Sequence, residues 1–271
     1  MPKLSERIQE NRFIALFVGR HHTGKTVAEA SFDKPMQIED FDGRVGGAQV
    51  PWLDLTGINY DYYPPKMPGL IPKLNEKLEG IQAANILGQQ VPKSWITDSV
   101  TNMTLAFIFQ ALPLTHSSRG KGGQDQRGKY IGLTAMPGPE DYGLEAQATY
   151  EYIAFLKSLP ISNIIFSAHT IGLFEKEDPD NPFSPSIQRG EKLSIRDKIG
   201  ENIQTSFDHV FKFERVTEGI NDEYYVTFKG GIACTSYDWL PSGRQKWTKK
   251  NFKEFMMSFK LKEAALVANN K

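Results

Sequence analysis

A single cysteine, Cys234, in 271 residues leaves no intrachain disulfide to form, and a chain that does without disulfides suits the reducing cytoplasm. An excess of either charge is missing too. Lys+Arg and Asp+Glu balance at 32 each, so the chain has no general attraction to a polyanion or an acidic membrane, and any basic surface must be local. The N-terminal stretch 1–11 is polar, and the apolar run after it is far too short to cross a bilayer or to serve as a secretory core. Internal repeats and low-complexity tracts are absent as well. What remains is ordinary globular material, 39% hydrophobic and 24% charged, long enough for one large α/β core or for a core plus a small appendage.

Against that plain background one stretch stands out. Gly19-Arg20-His21-His22-Thr23-Gly24-Lys25-Thr26 meets every fixed position of the phosphate-binding pattern G-x-x-x-x-G-K-[ST]. The glycines let successive backbone N–H groups turn towards an anion, Lys25 reaches the β- and γ-phosphates, and the Thr26 hydroxyl is placed to ligate Mg²⁺. The flanks agree. Residues 13–18 form a continuous apolar run suited to a buried parallel strand, and residues 26–30 can open a helix whose N-terminus faces the phosphate. The ligands expected are ATP and Mg²⁺.

Downstream, strand and helix alternate. Residues 36–44 read as a second strand ending in acidic residues and a glycine turn, and 58–63 as a third, stopped by Pro64-Pro65. Leu70, Leu74 and Leu78 mark an amphipathic helix over 70–87, and 94–99 is a strand that ends on Asp98. Residues 113–143, rich in Gly, Ser, Lys and Arg, read as a long loop. A helix over 144–159 leads to a strand over 163–169, prolines at 179, 182 and 185 mark a second long loop, 209–216 and 223–229 form a hairpin, and a helix over 248–267 closes the chain. The alternation predicts a mostly parallel α/β sheet flanked by helices, with a C-terminal hairpin and helix. It is read as one domain over 1–271, with its core at about 12–230 and an extension at about 231–271.

Hydrolysis needs more than a phosphate loop: a carboxylate to orient the metal and a group to position water. Asp98, at a strand end, is the candidate for the first. Asp42, Asp40 and Glu39, clustered at the ligand edge of the sheet, are the candidates for the second, and neighbouring carboxylates raise one another's pKa. His21 and His22 are read as shaping the loop rather than binding metal, since no further His or Cys stands at ligand spacing. The stripe Phe252, Phe255, Met256 and Phe259 reads as core, and Cys234 as a small buried hydrophobe.

In order, GRHHTGKT, MQIEDFDGR, SWITDSVTNM and NIIFSAHT resemble the RecA-like P-loop ATPase core over roughly residues 12–230. In particular they resemble the phage-encoded RecA-like, AAA-type nucleotide-binding proteins linked to single-strand annealing and recombination; Ile96-Thr97-Asp98-Ser99-Val100 is the part most particular to that branch. The resemblance implies a Mg²⁺-dependent ATPase with catalytic roles for Lys25, Asp42, Asp98 and His169. Asp42 takes the place of the family's catalytic glutamate, one methylene shorter, and His169 stands where a γ-phosphate sensor is expected. It also implies single-stranded DNA as partner, assembly into a homo-oligomer, no membrane, and the host cytoplasm as location. Recombinases of this kind hold DNA with loops after the corresponding strands. Here residues 116–132 carry Arg119, Lys121, Arg127 and Lys129, cations able to follow phosphates, with Tyr130 available to stack on a base. The second loop, 174–198, is acidic in its first half and basic in its second, where a cation could reach a neighbouring subunit's γ-phosphate. Two other readings share the motif: a different ATP-driven DNA motor such as a helicase or packaging component, and a nucleotide-gated assembly module that hardly hydrolyses.

Overall fold

Phe13–Val18 (β1) is buried at all six positions, and its side chains leave alternately to two core clusters, Ile14, Leu16 and Val18 to one and Phe13, Ala15 and Phe17 to the other. A strand buried on both faces has to lie inside a sheet covered on both sides. The computed structural model describes residues 12–44, 56–118, 139–177, 184, 186–219 and 221–269 and places β1 there. After it come α1 (Lys25–Glu29), β2 (Met36–Asp40), β3 (Ile58–Tyr62), α2 (Leu70–Ile86), β4 (Ser94–Asp98), α3 (Val100–Ser118), α4 (Pro139–Ser158) and β5 (Asn163–Ala168). Then follow β6 (Thr170–Lys176), β7 (Ser186–Leu193), α5 (Asp197–Gly200), a 3₁₀ turn, β8 (His209–Glu218), β9 (Asn221–Thr227), β10 (Cys234–Thr235), β11 (Arg244–Trp247) and α6 (Phe252–Asn269).

The main sheet runs β11-β9-β8-β1-β5-β4-β2-β3, with β10 paired to β8. From β8 to β3 all neighbours are parallel; β9, β10 and β11 pair antiparallel. This is the α/β RecA-like fold, in which one strand, β5, stands between the phosphate-loop strand β1 and the strand that ends on Asp98. Because β1, β2, β4 and β5 point the same way, the segments after Val18, Asp40, Asp98 and Ala168 emerge together at the carboxyl edge, where such sheets bind ligands. One face is covered by α2, α3 and α4 through residues such as Leu74, Phe107 and Leu156, the other by α1 and α6 through Val27, Phe252 and Met256. Each large apolar side chain fully buried in this way contributes about 1.5–3 kcal/mol.

The structure redraws several expected elements. A helix not expected from the sequence, α3, fills Val100–Ser118 and takes in the start of the expected loop, and α4 already starts at Pro139, where proline's missing N–H costs nothing and Glu140 and Asp141 supply first-turn acids. The basic residues Arg119, Lys121, Arg127 and Lys129 fall between the two helices and outside the described residues. Much of 174–198 is hairpin rather than loop, because β6 and β7 pair antiparallel from Thr170 with Leu193 to Lys176 with Ser186. α6 begins at Phe252 rather than 248, where Asn251 Oδ1 accepts from Glu254 N at 3.1 Å and caps the first turn. Cys234 is exposed on β10, not buried. Trp247, Phe252 and Met256 share a cluster with Phe17, so the C-terminal segment packs onto the core. Among the described residues no helix is long and apolar enough to cross a membrane.

Candidate functional site

The turn out of β1 is set by backbone space. Gly19 lies at φ 156°, and a Cβ there would come within 2.3 Å of the Phe213 carbonyl oxygen, so no larger residue fits. Gly24 has φ 94°, left-handed, with Trp247 filling the space where a side chain would go. Thr23 Oγ1 donates to the Arg20 carbonyl at 2.9 Å and closes the loop. The helix that follows is only five residues long, too short for a strong dipole, so the loop amides and Lys25 carry phosphate recognition. Lys25 is buried, and its Nζ donates to the carbonyls of Gly19 at 2.8 Å and Arg20 at 2.9 Å. Burial pulls this ammonium below its ordinary pKa range, against the opposing pull of Asp98, Glu29 and Asp42. A phosphate would replace two weak carbonyl partners with a full negative charge.

These groups line a pocket of about 520 Å³ together with His21, His22, Thr23, Gly24, Thr26 and Val27. Gly19 and Arg20 shape the loop from outside the pocket; Arg20 turns away, donating to Gln188 Oε1 at 3.0 Å and standing 3.6 Å from Glu191 on β7.

Asp98 and Asp42 form adjoining walls. Thr26 Oγ1 donates to Asp98 Oδ2 at 3.0 Å, and Ser167 Oγ donates to Oδ1 at 2.5 Å. Burial first, then the charge of Asp42, pushes the Asp98 carboxyl above its ordinary pKa, opposed by the Ser167 bond and by Lys25. Behind it Glu29 is 1% exposed, with neither carboxyl oxygen hydrogen-bonded, since Ser167 gives its hydroxyl to Asp98. Burial and then Asp98 push the Glu29 carboxyl well above the ordinary carboxylate range, which favours its neutral form. An oxygen-rich, buried wall of this kind fits a hard divalent ion such as Mg²⁺, with Thr26 and Asp98 as the residues that would hold it.

The β2 wall is different. The Asp42 carboxylate accepts from Ser99 Oγ and Asn102 Nδ2, both at 2.7 Å on Oδ1, and pairs with His169 Nε2 at 2.5 Å on Oδ2. Burial would raise its pKa, but the bonds from His169 and Ser99, helped by the charge of Arg44, hold it below the ordinary range. His169 also has Nδ1 3.5 Å from Lys25 Nζ, and its ring stands 3.9 Å from that of His21, centroid to centroid. Asp40 and Glu39 do not line the pocket. Asp40 accepts the backbone N–H groups of Asp42 and Gly43 and the Tyr60 hydroxyl, holding the turn, while Glu39 is buried against Lys77 at 2.6 Å.

His21, Asp42 and His169 can bring three ligand atoms within 4.8 Å of one another, a grouping that sequence spacing does not reveal. Two cations oppose a metal there: Lys25 Nζ beside His169 Nδ1, and Arg44 Nη1 at 2.9 Å from His21 Nδ1. The outer end of the pocket is closed by Arg215, Tyr224 and Lys249, the last with its Nζ 4.2 Å from the centre of the Tyr224 ring. No motif announces these residues or Glu29; Arg44, Ser99, Asn102 and Ser167 lie within the motif stretches, but what they contact follows only from sheet pairing and the turns between strands.

No model of a known family matches the chain, and no curated protein matches it either. Among solved structures it is similar to the KaiC-like protein PH0186 from the hyperthermophilic archaeon Pyrococcus horikoshii OT3, with 13% identity over 91% of this chain and 96% of that one and a TM-score of 0.43. It is also similar to the flagellar accessory protein FlaH from Methanocaldococcus jannaschii, with 14% identity over 90% and 94% and a TM-score of 0.39. Likenesses this distant add no argument of their own, and the strand order and the phosphate loop carry the fold.

Proposed function

We propose that the protein binds ATP with Mg²⁺ and hydrolyses it, and that it works in the cytoplasm on single-stranded DNA during recombination or annealing, as a homo-oligomer of phage type. The observation behind the nucleotide part is the convergence of Lys25, Thr26 and Asp98 on one pocket, with Thr26 Oγ1 3.0 Å from Asp98 Oδ2 although 72 residues separate them. The loop amides and Lys25 hold the phosphates, and Thr26 and Asp98 hold the ion. Mg²⁺, when bound, neutralises charge on the phosphate oxygens. Asp42 and His169 lie at the end of the pocket where the terminal phosphate and the attacking water belong. The DNA part rests on the sequence, through Arg119, Lys121, Arg127 and Lys129.

An ATPase assay with and without a single-stranded oligonucleotide tests the whole reading. Turnover stimulated by DNA supports it, and unstimulated turnover removes the DNA partner. Replacing the four cations by Ser is expected to weaken oligonucleotide binding and to flatten log K against log salt by about 0.7 for each phosphate no longer neutralised, with ATP binding unchanged. A second reading, a nucleotide-gated module with little turnover, draws support from Asp42, whose two oxygens already accept three donors and leave it a poor base.

A further inference from the structure

The occupied Asp42 carboxylate raises the question of which group takes the proton of the attacking water. His169 has the required disposition. Its ring is buried, and its backbone N–H is fixed on Thr101 Oγ1 at 3.0 Å. One ring nitrogen, Nε2, faces Asp42 Oδ2 at 2.5 Å, while the other, Nδ1, faces the Lys25 ammonium at 3.5 Å. A lysine ammonium only donates, so Nδ1 must present its lone pair to Lys25 and Nε2 must carry the proton given to Asp42. The tautomer is therefore fixed by its two neighbours. It is the one that leaves a basic nitrogen pointing into the phosphate end of the pocket.

We propose that His169, acting through Nδ1, is the general base of hydrolysis, and that Asp42 is a positioning residue that holds Nε2–H and steadies the imidazolium. The proposal rests on the ATPase reading above. In the reaction a water O–H bond breaks and its proton passes to Nδ1 as the water oxygen bonds to the γ-phosphorus. The bond from that phosphorus to the β,γ-bridging oxygen breaks and releases ADP, and the ring later returns the proton to solvent. Lys25 gives this arrangement a gate. Without phosphate it caps Nδ1 and two carbonyls. A bound triphosphate draws the ammonium away and uncovers the lone pair only when there is something to hydrolyse. Ser99 and Asn102 complete the support by holding the other oxygen of Asp42, so that the carboxylate cannot rotate off the ring.

The test compares His169→Ala with Asp42→Asn, reading kcat, KM and nucleotide affinity with and without added imidazole. His169→Ala is expected to lower kcat by about 10²–10⁴-fold, the range for a lost general base, to leave nucleotide affinity within about threefold, and to regain turnover in imidazole. Asp42→Asn is expected to lose less, about 10–100-fold, the scale for a partner that orients another group, and to gain nothing from imidazole. A folded His169→Ala protein that binds nucleotide but ignores imidazole, or an Asp42→Asn loss larger than the His169→Ala loss, overturns the assignment. If the alanine protein does not fold, His169→Gln, which keeps a donor for Asp42, takes its place and must show the same kcat loss. Imidazole ¹⁵N shifts give a readout independent of turnover: the Nε2–H tautomer is expected in the nucleotide-free protein, and an Nδ1–H ring overturns the proposal. A wild-type protein that binds ATP without turning it over overturns the ATPase reading, and this proposal with it.

Discussion

On the β4 wall of the pocket Asp98 is buried with two neutral hydroxyl donors and a second, unpartnered acid behind it; on the β2 wall Asp42 is buried with three donors, one of them an imidazole. The two walls are built from adjacent parallel strands, Asp40 pairing with Asp98 in register, and are joined directly by Phe41 N donating to the Asp98 carbonyl at 2.6 Å. Both are aspartates at the carboxyl edge, but Asp98 ends β4 and is deeply buried while Asp42 lies two residues past β2 and is less so, and the two carboxyl groups move in opposite directions. Burial raises the pKa on either side, more for the deeper Asp98, and on Asp42 the bonds it accepts outweigh it. One wall bonds its carboxyl with neutral hydroxyls and is suited to a cation. The other is already satisfied and is suited to holding a ring in place.

The largest effect should come from the group that serves both walls. Lys25→Ala removes the ammonium that faces His169 on one side and feels Asp98 and Asp42 on the other. A charged hydrogen bond contributes about 1.5–3 kcal/mol, so triphosphate affinity should fall by up to about a hundredfold, with the fold intact because Lys25 Nζ bonds loop carbonyls and the His169 ring and not the core clusters. Titration calorimetry checks this, and unchanged affinity in a folded protein would remove the loop from the site.

The paired variants Asp98→Asn and Asp42→Asn test the comparison itself. Asp98→Asn should reduce Mg²⁺-dependent turnover by about 10²–10³-fold, the scale of one aimed electrostatic contact, with ATP binding within about tenfold. Asp42→Asn should reduce it less, and the two should differ in sign for stability. Asp98 has a folded pKa above the unfolded value of about 3.9, so the wild type loses stability as pH rises from there through the folded pKa. Asn abolishes that loss, so the variant should be more stable than wild type at neutral pH. Asp42 has a folded pKa below the unfolded value, so its contribution is present above about pH 3.9 and is lost only as pH falls through the folded pKa. Asp42→Asn should therefore cost about 1–3 kcal/mol at neutral pH, as donors lose their acceptor. Urea melts across pH check both signs, and a shared sign would erase the distinction between the walls.

How much of this was legible in the sequence follows from the same physics. β1 and β5 are buried on both faces and read as apolar runs ending in Gly19 and His169, while β4, equally buried but carrying Ser94 and Thr97, reads as a short strand ending on Asp98. α3 was missed, and its last turns were read as the start of the Gly-, Ser- and Lys-rich loop from residue 113, where Pro113 stands inside the helix. The β6–β7 hairpin was hidden because it stands outside the main sheet and its exposed residues, Phe174 among them, show no inward-facing alternation. The carboxylates could be picked out but not ranked. Asp42 and His169 are 127 residues apart, and nothing in their spacing shows that the ring occupies the oxygen that a base would need.

The smallest expected effect on turnover belongs to Glu29, and it sharpens the comparison most narrowly. Glu29 lies on the Asp98 side, 1% exposed and without a hydrogen bond, and burial followed by the charge of Asp98 raises its pKa. If it is neutral in the folded protein, Glu29→Gln exchanges one neutral group for another of nearly the same shape, and turnover and ATP affinity should stay within about threefold. Stability should nevertheless depend on pH. The unfolded chain ionises Glu29 near its ordinary value of about 4.3, while the folded chain resists until far higher pH, so the wild type loses stability as pH rises through that window and the Gln variant does not. The two proteins should melt together near pH 4, and the variant should be the more stable at pH 7. A variant that turns over ATP more than tenfold slower, or that is equally destabilised at both pH values, would mean that Glu29 is ionised in the folded protein. The charge facing the metal would then come from two carboxylates and not from Asp98 alone.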